Sequence, residues 1–434
     1  MIQQLYSHFQ KYQAICTDTR EIKPNAIFFA LKGDNFNANQ FAEKAIHSGC
    51  ALAVIDEEQY KIDGRFIVVE DVLTALQELA NYHRKQLSIP LIGITGTNGK
   101  TTTKELINAV LSQKYKVLAT RGNLNNHIGV PLTLLSITKE HQMAIIEMGA
   151  NHQEEIAMLC NFAEPDFGMI TNIGKAHLEG FGGYEGVIKA KREMYDFIKE
   201  RNGILFVNSD NDLLKKLSDG IKQVNYGTGN ENEFIGLFEE SNPFVHFKCK
   251  SKTDTDSIDN KQSIKTQLTG KYNFENILAA ACIGNYFGVS DEQIKIALEN
   301  YIPSNNRSQV VQTANNFLLL DAYNANPSSM RAAIENFAEM KQPNKMVILG
   351  DMLELGSESA KEHHDIVKLL LQKNISNVVL VGWHFTEACE GSNAKTFATS
   401  GDAYQYLSHL NLKNTTILIK GSRGIKLEKV VDAL

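Results

Sequence analysis

The chain has 434 residues, 43% of them hydrophobic and 22% charged, with a formal net charge of −6. That length exceeds what one hydrophobic core supports and predicts two to four domains of an ordinary globular protein. The absence of a Lys/Arg block argues against nucleic acid as a partner, and no run approaches the roughly 18 apolar residues of a membrane span.

The opening "MIQQLYSHFQKYQ" is amphipathic and lacks the apolar core of a signal peptide. In residues 1–88, "AIFFALKG" reads as a strand, "NQFAEKAIHSG" as a helix ending at Gly49, and "CALAVID" and "RFIVVED" as further strands. A helix is expected after Asp71, with Val72, Leu76 and Leu79 on one face. Residues 89–305 hold the buried-type strands "LIGIT", "MAIIEMG", "FGMITNIG" and "ILFVNSD". Near 233–269 the texture turns short, polar and alternating, as in an antiparallel sheet appended to a parallel one. Helices over about 273–287 and 291–301 close this unit. Residues 306–434 repeat strand and helix four times, with the strands "FLLLDAY", "KMVILGD", "NVVLVG" and "TTILIKG". The first helix of that series opens at Asn326-Pro327. Such alternation predicts a doubly wound, Rossmann-like parallel sheet. The six cysteines are scattered without a Cys-x-x-Cys pair, the usage of a reducing cytosolic compartment.

The turn after "LIGIT" carries the chemistry. It reads Gly96-Thr97-Asn98-Gly99-Lys100-Thr101-Thr102 between a strand and a helix, the context of a phosphate loop. The common pattern places a glycine five residues before Gly99, where this chain has Ile94. Glycines let the backbone wrap a phosphate, and the helix N-terminus turns free N–H groups toward it. Lys100 is suited to the outer phosphates and the Thr101 hydroxyl to Mg²⁺. Glu147, at the end of "MAIIEMG", stands where a metal carboxylate belongs, although a glutamate at a strand end is ordinarily solvated. His177 falls in the glycine-rich "TNIGKAHLEGFGG", where a histidine is ordinarily structural. These residues indicate nucleotide, Mg²⁺ and phosphoryl chemistry. A kinase or simple NTPase would satisfy them as well as a ligase.

The motif set resembles the Mur ligase family. "GTNGKTT" (96–102) is similar to that family's own phosphate loop, which lacks the first glycine of the general pattern. The resemblance continues through "NIGKAHLEGFGG" (172–183), "KAKREM" (189–194), "GKYNFENILAA" (270–280), "DAYNANPSSMRAAI" (321–334), "LGDMLELG" (349–356) and "KGSRGIKLEKVV" (420–431). It therefore spans nearly the whole chain in family order. It implies three domains: a small α/β uridine-nucleotide-binding unit at 1–88, a central P-loop ATPase-like sheet with an antiparallel extension at 89–305, and a Rossmann-like unit at 306–434 that binds the incoming amine. "DAYNANPSSM" and "LGDMLELG" resemble the branch that adds the terminal dipeptide, so UDP-N-acetylmuramoyl-tripeptide, D-Ala-D-Ala and ATP are the implied reactants. A branch adding a single amino acid is the nearest alternative within the family.

The resemblance assigns roles residue by residue. Lys100 and the loop amides hold phosphates, Thr101 and Glu147 a first Mg²⁺, and His177 a second. Lys191 matches the position that the family carbamylates, although a lysine in "IKAKREMYDFI" is otherwise a solvated helix residue. Asn273 and Asn276 resemble residues beside the adenine, and Arg307 and Asp321 those reaching the nucleotide from the last domain. Tyr323, Asn324, Asn326 and Ser328 are expected on the dipeptide side, with Lys420, Ser422 and Arg423 as a cationic cluster after the final strand. Thr19, Arg20, Lys32 and Gly33 resemble neighbours of the uridine diphosphate. Here the chain departs from the family's usual Asp-Gly-His, reading Asn37-Ala38-Asn39. A monomer that closes on its ligands by hinging near 303–307 is expected.

Overall fold

The computed structural model describes residues 1–304, 306–342, 344–389 and 393–434. Asn305, within the hinge expected at 303–307, lies outside the described residues. The first sheet has four parallel strands in the order Ile15–Cys16, Ile27–Phe29, Leu52–Ile55 and Phe66–Val68. The single strand expected over "AIFFALKG" divides. The Leu31 N–H folds back on the Phe29 carbonyl at 3.0 Å, and Lys32–Gly33 turns onto Phe36–Asn37 as a small antiparallel hairpin. The helix that follows starts as a 3₁₀ turn, Ala38–Phe41, before Ala42–His47. Helix Val72–Lys85 is capped by Asp71, whose carboxylate accepts the Thr74 N–H at 2.7 Å.

That helix ties the first unit to the second. Leu76 and Leu79 belong to one apolar core with Leu134 and Leu159 of the second unit, so burial continues across the boundary expected at 88/89. Arg84 is buried in the same seam and donates to the carbonyls of Ala163 and Glu164, each at 2.9 Å.

The second sheet has nine strands, ordered Ile264–Thr269, Phe244–Ser251, Phe234–Ser241, Gln223–Gly227, Ile204–Asn208, Phe167–Ile170, Leu91–Thr95, Met143–Glu147 and Val117–Ala119. The pairings of Phe244–Ser251 with its two neighbours are antiparallel, and the rest of the sheet is parallel. Leu91–Thr95 has Met143–Glu147 on one side and Phe167–Ile170 on the other. The chain switches direction across the sheet at this strand, and the crevice beyond its carboxyl end is where ligands of open α/β sheets bind. All five residues of the strand are buried; Ile94, at the place of the missing glycine, is one of them.

The third sheet has six strands, ordered Gln309–Gln312, Phe317–Asp321, Thr416–Lys420, Lys345–Gly350, Asn377–Val381 and Lys395–Phe397. The two edge strands add to the four expected. Both are short, a usual means of blunting a sheet edge, and neither carries a long apolar run. Helices cover both faces over separate cores, one around Phe337 and Leu370, the other around Leu407 and Leu427. The last strand, Thr416–Lys420, inserts between Phe317–Asp321 and Lys345–Gly350, so Asp321 and Lys420 are register partners at adjacent carboxyl ends.

Candidate active site

A cavity of about 650 Å³ opens between the phosphate loop and the third unit. The loop is shaped by its glycines. Gly96 has φ +143° and a Cβ there would lie 2.0 Å from Thr171 Oγ1; Gly99 has φ +78° and a Cβ there would lie 2.7 Å from Asn276 Oδ1. Neither place accepts a side chain. The apex is pinned to the strand-end segment beside it. Asn98 N–H donates to Asn172 Oδ1 at 3.0 Å, Asn172 Nδ2 returns a bond to the Asn98 carbonyl at 3.0 Å, and Thr97 exchanges hydrogen bonds with Gly174. The helix Lys100–Leu111 then starts with its N-terminus toward the cavity, which Thr97, Asn98, Gly99, Thr101 and Thr102 all line. Gly96 does not line it.

Lys100 bridges the loop it belongs to, donating to the carbonyls of Gly96 at 2.6 Å and Thr97 at 3.1 Å. Burial lowers its pKa to about 8, opposed by the attraction of Glu147 and helped by the repulsion of Arg307. A cation so placed gains from the arrival of a polyphosphate, which restores the full charge.

Glu147 is buried, and one oxygen, Oε1, accepts from the Thr101 hydroxyl at 3.1 Å and from Asn125 Nδ2 at 2.8 Å. The other, Oε2, is buried without a hydrogen-bond partner. The ammonium of the fully buried Lys104 stands 3.9 Å from it, beyond hydrogen-bond reach. A buried carboxylate oxygen left open beside a threonine hydroxyl, at the mouth of a phosphate loop, fits a divalent cation held jointly by protein and phosphates. Asn125 was not legible in the sequence, since it belongs to the irregular segment "RGNLNNHIG", which has no periodicity. Asn123, Asn126 and His127 of that segment line the cavity too.

His177 lines the cavity at the N-cap of the short helix Leu178–Phe181, with its backbone at φ +50°. Desolvation lowers its pKa, as do Lys100 and Lys191, against the attraction of Glu354. Its Nδ1 lies 2.5 Å from Glu354 Oε2 of the third unit. Lys191 sits behind this wall rather than on it: it is buried on helix Tyr184–Glu200, with its ammonium 5.3 Å from the centre of the Phe181 ring. Desolvation, then Lys100, lowers its pKa to about 7, with Glu193 and Glu155 pulling the other way.

The opposite wall comes from helix Tyr272–Tyr286 and the third unit. Asn276 Oδ1 accepts from Thr103 Oγ1 at 3.0 Å, and its amide donates to Asn273 Oδ1 at 3.0 Å. Arg307 stacks on Tyr323 at 3.7 Å from the ring centre. Asp321 holds Lys420 at 2.5 Å; Lys420 is the last residue of the final strand and is buried against the cavity. Asn324, Asn326 and Ser328 line the same side. Ser422 and Arg423 do not. Ser422 accepts the Leu353 N–H at 3.0 Å, and Arg423 is exposed beside the Tyr323 hydroxyl. Asn326 Nδ2 donates to Asn98 Oδ1 at 2.7 Å, so the third unit touches the loop's apex directly.

Thr19, Arg20, Lys32 and Gly33 lie away from this cavity in the first unit. Arg20 is exposed and paired with Asp18 at 2.6 Å, which holds that carboxyl down at about 2. Lys32 reaches Asp56 at 2.8 Å and Glu57 at 2.9 Å. Asn37 and Asn39, where the family pattern departs, bond the same two carboxylates at 2.9 and 2.7 Å.

A phosphate loop at a sheet's switch point, an open buried carboxylate oxygen and a second α/β unit across the cleft define a P-loop nucleotide-binding protein of several units. Two family models match this chain, the Mur ligase middle domain over residues 94–284 and the Mur ligase, glutamate ligase domain over 306–423. The chain belongs to the Mur ligase family. It is 35% identical over 436 residues to the UDP-N-acetylmuramoyl-tripeptide–D-alanyl-D-alanine ligase of Bacillus subtilis (strain 168), covering 97% of this chain and 92% of that one. Among solved structures, MurF from Acinetobacter baumannii matches with a TM-score of 0.87 at 33% identity, covering 100% of this chain and 98% of that one. MurF ligase from Thermotoga maritima in complex with ADP matches with a TM-score of 0.84 at 25% identity and 97% coverage of each chain.

Proposed function

We propose that this chain is an ATP-dependent amide ligase that joins D-Ala-D-Ala to UDP-N-acetylmuramoyl-tripeptide, releasing ADP and phosphate, in peptidoglycan precursor synthesis. In this reading residues 1–88 hold the sugar nucleotide through Thr19, Arg20, Lys32 and Gly33, 89–305 hold ATP, and 306–434 bring the dipeptide. The protein acts as a cytoplasmic monomer. The observation that carries the reading is the cavity itself, with the phosphate loop on one side and Asp321, Tyr323, Asn326 and Lys420 on the other.

The terminal carboxylate of the tripeptide attacks the γ-phosphorus of ATP, ADP leaves, and an acyl phosphate forms. The dipeptide amine then attacks the acyl carbon, and phosphate departs from the tetrahedral intermediate. Bringing two anions together is the difficulty, so positioning and charge neutralisation dominate. Lys100 and the loop amides take the outer phosphates. Asn273 and Asn276 face the base, and Arg307 and Asp321 complete the nucleotide contacts from across the cleft. Thr101 and Glu147 would hold one Mg²⁺ and His177 a second, with a carbamate on Lys191 bracing that second site from behind the wall; bound there, the ions would neutralise charge on phosphate oxygens. Lys191 suits carbamylation because a pKa near 7 leaves much of it as the free amine, the form that adds CO₂.

The test is a mass-spectrometric assay with ATP, Mg²⁺, D-Ala-D-Ala and UDP-tripeptides carrying either diaminopimelate or lysine. Pentapeptide-bearing nucleotide is expected, with ADP release dependent on both co-substrates. ADP release without them would mark a simple NTPase and overturn the reading.

A further inference from the structure

The segment 349–356, "LGDMLELG", contributes nothing to the cavity lining, yet it is held from several sides. The Asp351 carboxylate accepts the N–H groups of His384 and Phe385 at 3.0 and 2.9 Å. The Met352 N–H donates to Nε2 of the buried His363 at 3.0 Å, and the Leu353 N–H to Ser422 Oγ at 3.0 Å. Three consecutive residues are thus fixed, and the fourth, Glu354, is turned outward at φ +65°, a backbone region that residues other than glycine and asparagine seldom adopt. Its carboxylate ends 2.5 Å from His177 Nδ1, across the junction between units. Two further contacts hold the same junction: Lys175 with Glu362 at 2.7 Å, and the Lys175 N–H with Ser328 Oγ at 3.0 Å.

We propose that Glu354 is a positioning residue for the ligase reaction: it accepts the Nδ1–H of His177, fixes that tautomer and so leaves the Nε2 lone pair for the cavity. A carboxylate behind a working imidazole commonly sets both ring orientation and tautomer. Here the carboxylate comes from the opposite unit, so His177 is completed only when the units are docked. Ser422 and His363 act one step further back, as the anchors of the arm.

The inference rests on the ligase reading, and two arms keep their failures apart. Nitrogen-15 spectra of histidine-labelled protein, with His177 assigned through His177→Gln, should show protonated Nδ1 in the wild type and a shift toward the Nε2–H tautomer in Glu354→Ala. This arm needs no turnover. In the assay, Glu354→Ala should lower kcat about ten- to a hundredfold with KM for ATP nearly unchanged. Glu354→Ala should cost almost nothing further in a His177→Ala background, because the two act as one unit. Glu362→Ala, which loosens the same junction without touching His177, should leave the tautomer as in the wild type. Additive losses, or equal effects of Glu354→Ala and Glu362→Ala on both readouts, would reduce Glu354 to a docking contact and overturn the proposal. A wild type that makes no product would sink the ligase reading instead, with the spectra still testing the contact.

Discussion

The cavity wall and the polar patch of the first unit use the same residue types to opposite effect. In the first unit Arg20, Lys32, Asn37 and Asn39 are matched to Asp18, Asp56 and Glu57, the charged groups in exposed or half-buried places and Asn39 buried among them. Around the phosphate loop, Lys100 and Lys191 are driven down to about 8 and about 7 by burial, and Glu147 keeps an oxygen without a hydrogen-bond partner. Paired exposed charges are worth little and announce little. Buried charges short of partners are costly, and the arrival of a ligand of the right charge removes the cost.

The contrast can be broken in order of expected effect. Lys100→Ala should cut turnover by about 10²–10³-fold by removing a preorganised cation from the transferring phosphate; near-normal turnover in that variant would put the phosphates elsewhere. Lys191→Ala should lose roughly a hundredfold and recover in part with formate or acetate, small anions standing in for a carbamate. Normal activity without additive would remove the carbamate assignment.

The third test uses pH. Folding lowers the Lys191 pKa from 10.5 to about 7, so the unfolded chain binds more protons between those values. The residue's destabilising contribution is therefore full below about pH 7 and fades as pH rises toward the ordinary lysine range. Its free-amine fraction climbs from about a tenth at pH 6 to about nine-tenths at pH 8. With dissolved carbon-13 CO₂ held constant, a carbamate resonance absent from Lys191→Ala should grow over that window; a flat signal would count against it. The smallest effect falls in the first unit. Lys32→Ala should raise KM for the sugar nucleotide a few-fold and leave KM for ATP alone, and an equal rise in both would mean that the patch acts on the fold rather than on a ligand.

Much of this site could be read before the fold was known, because the phosphate loop and Glu147 follow strands whose ends the hydrophobic runs mark. The edge strands Gln309–Gln312 and Lys395–Phe397 carry no such run and were invisible. Asn125 and Glu354 were invisible for another reason. Each acts from an irregular segment whose direction depends on distant anchors, Glu147 for one and Ser422 for the other. Lys191 shows the reverse case: "IKAKREMYDFI" looks like a solvated helix, yet the ammonium is buried beside the Phe181 ring.

The two seams of the molecule are of different make. Leu76 and Leu79 sink into the same apolar mass as Leu134 and Leu159, whereas the third unit rests on the second through bonds such as Asn326 to Asn98 and Lys175 to Glu362. Opening the apolar seam would expose its buried surface to water, whereas the polar bonds can be exchanged for bonds to water. On the function proposed above, the unit that takes the sugar nucleotide and the phosphate loop would move as one body, and the unit that brings the amine would come and go. Release of a bulky product would then require those polar bonds to open.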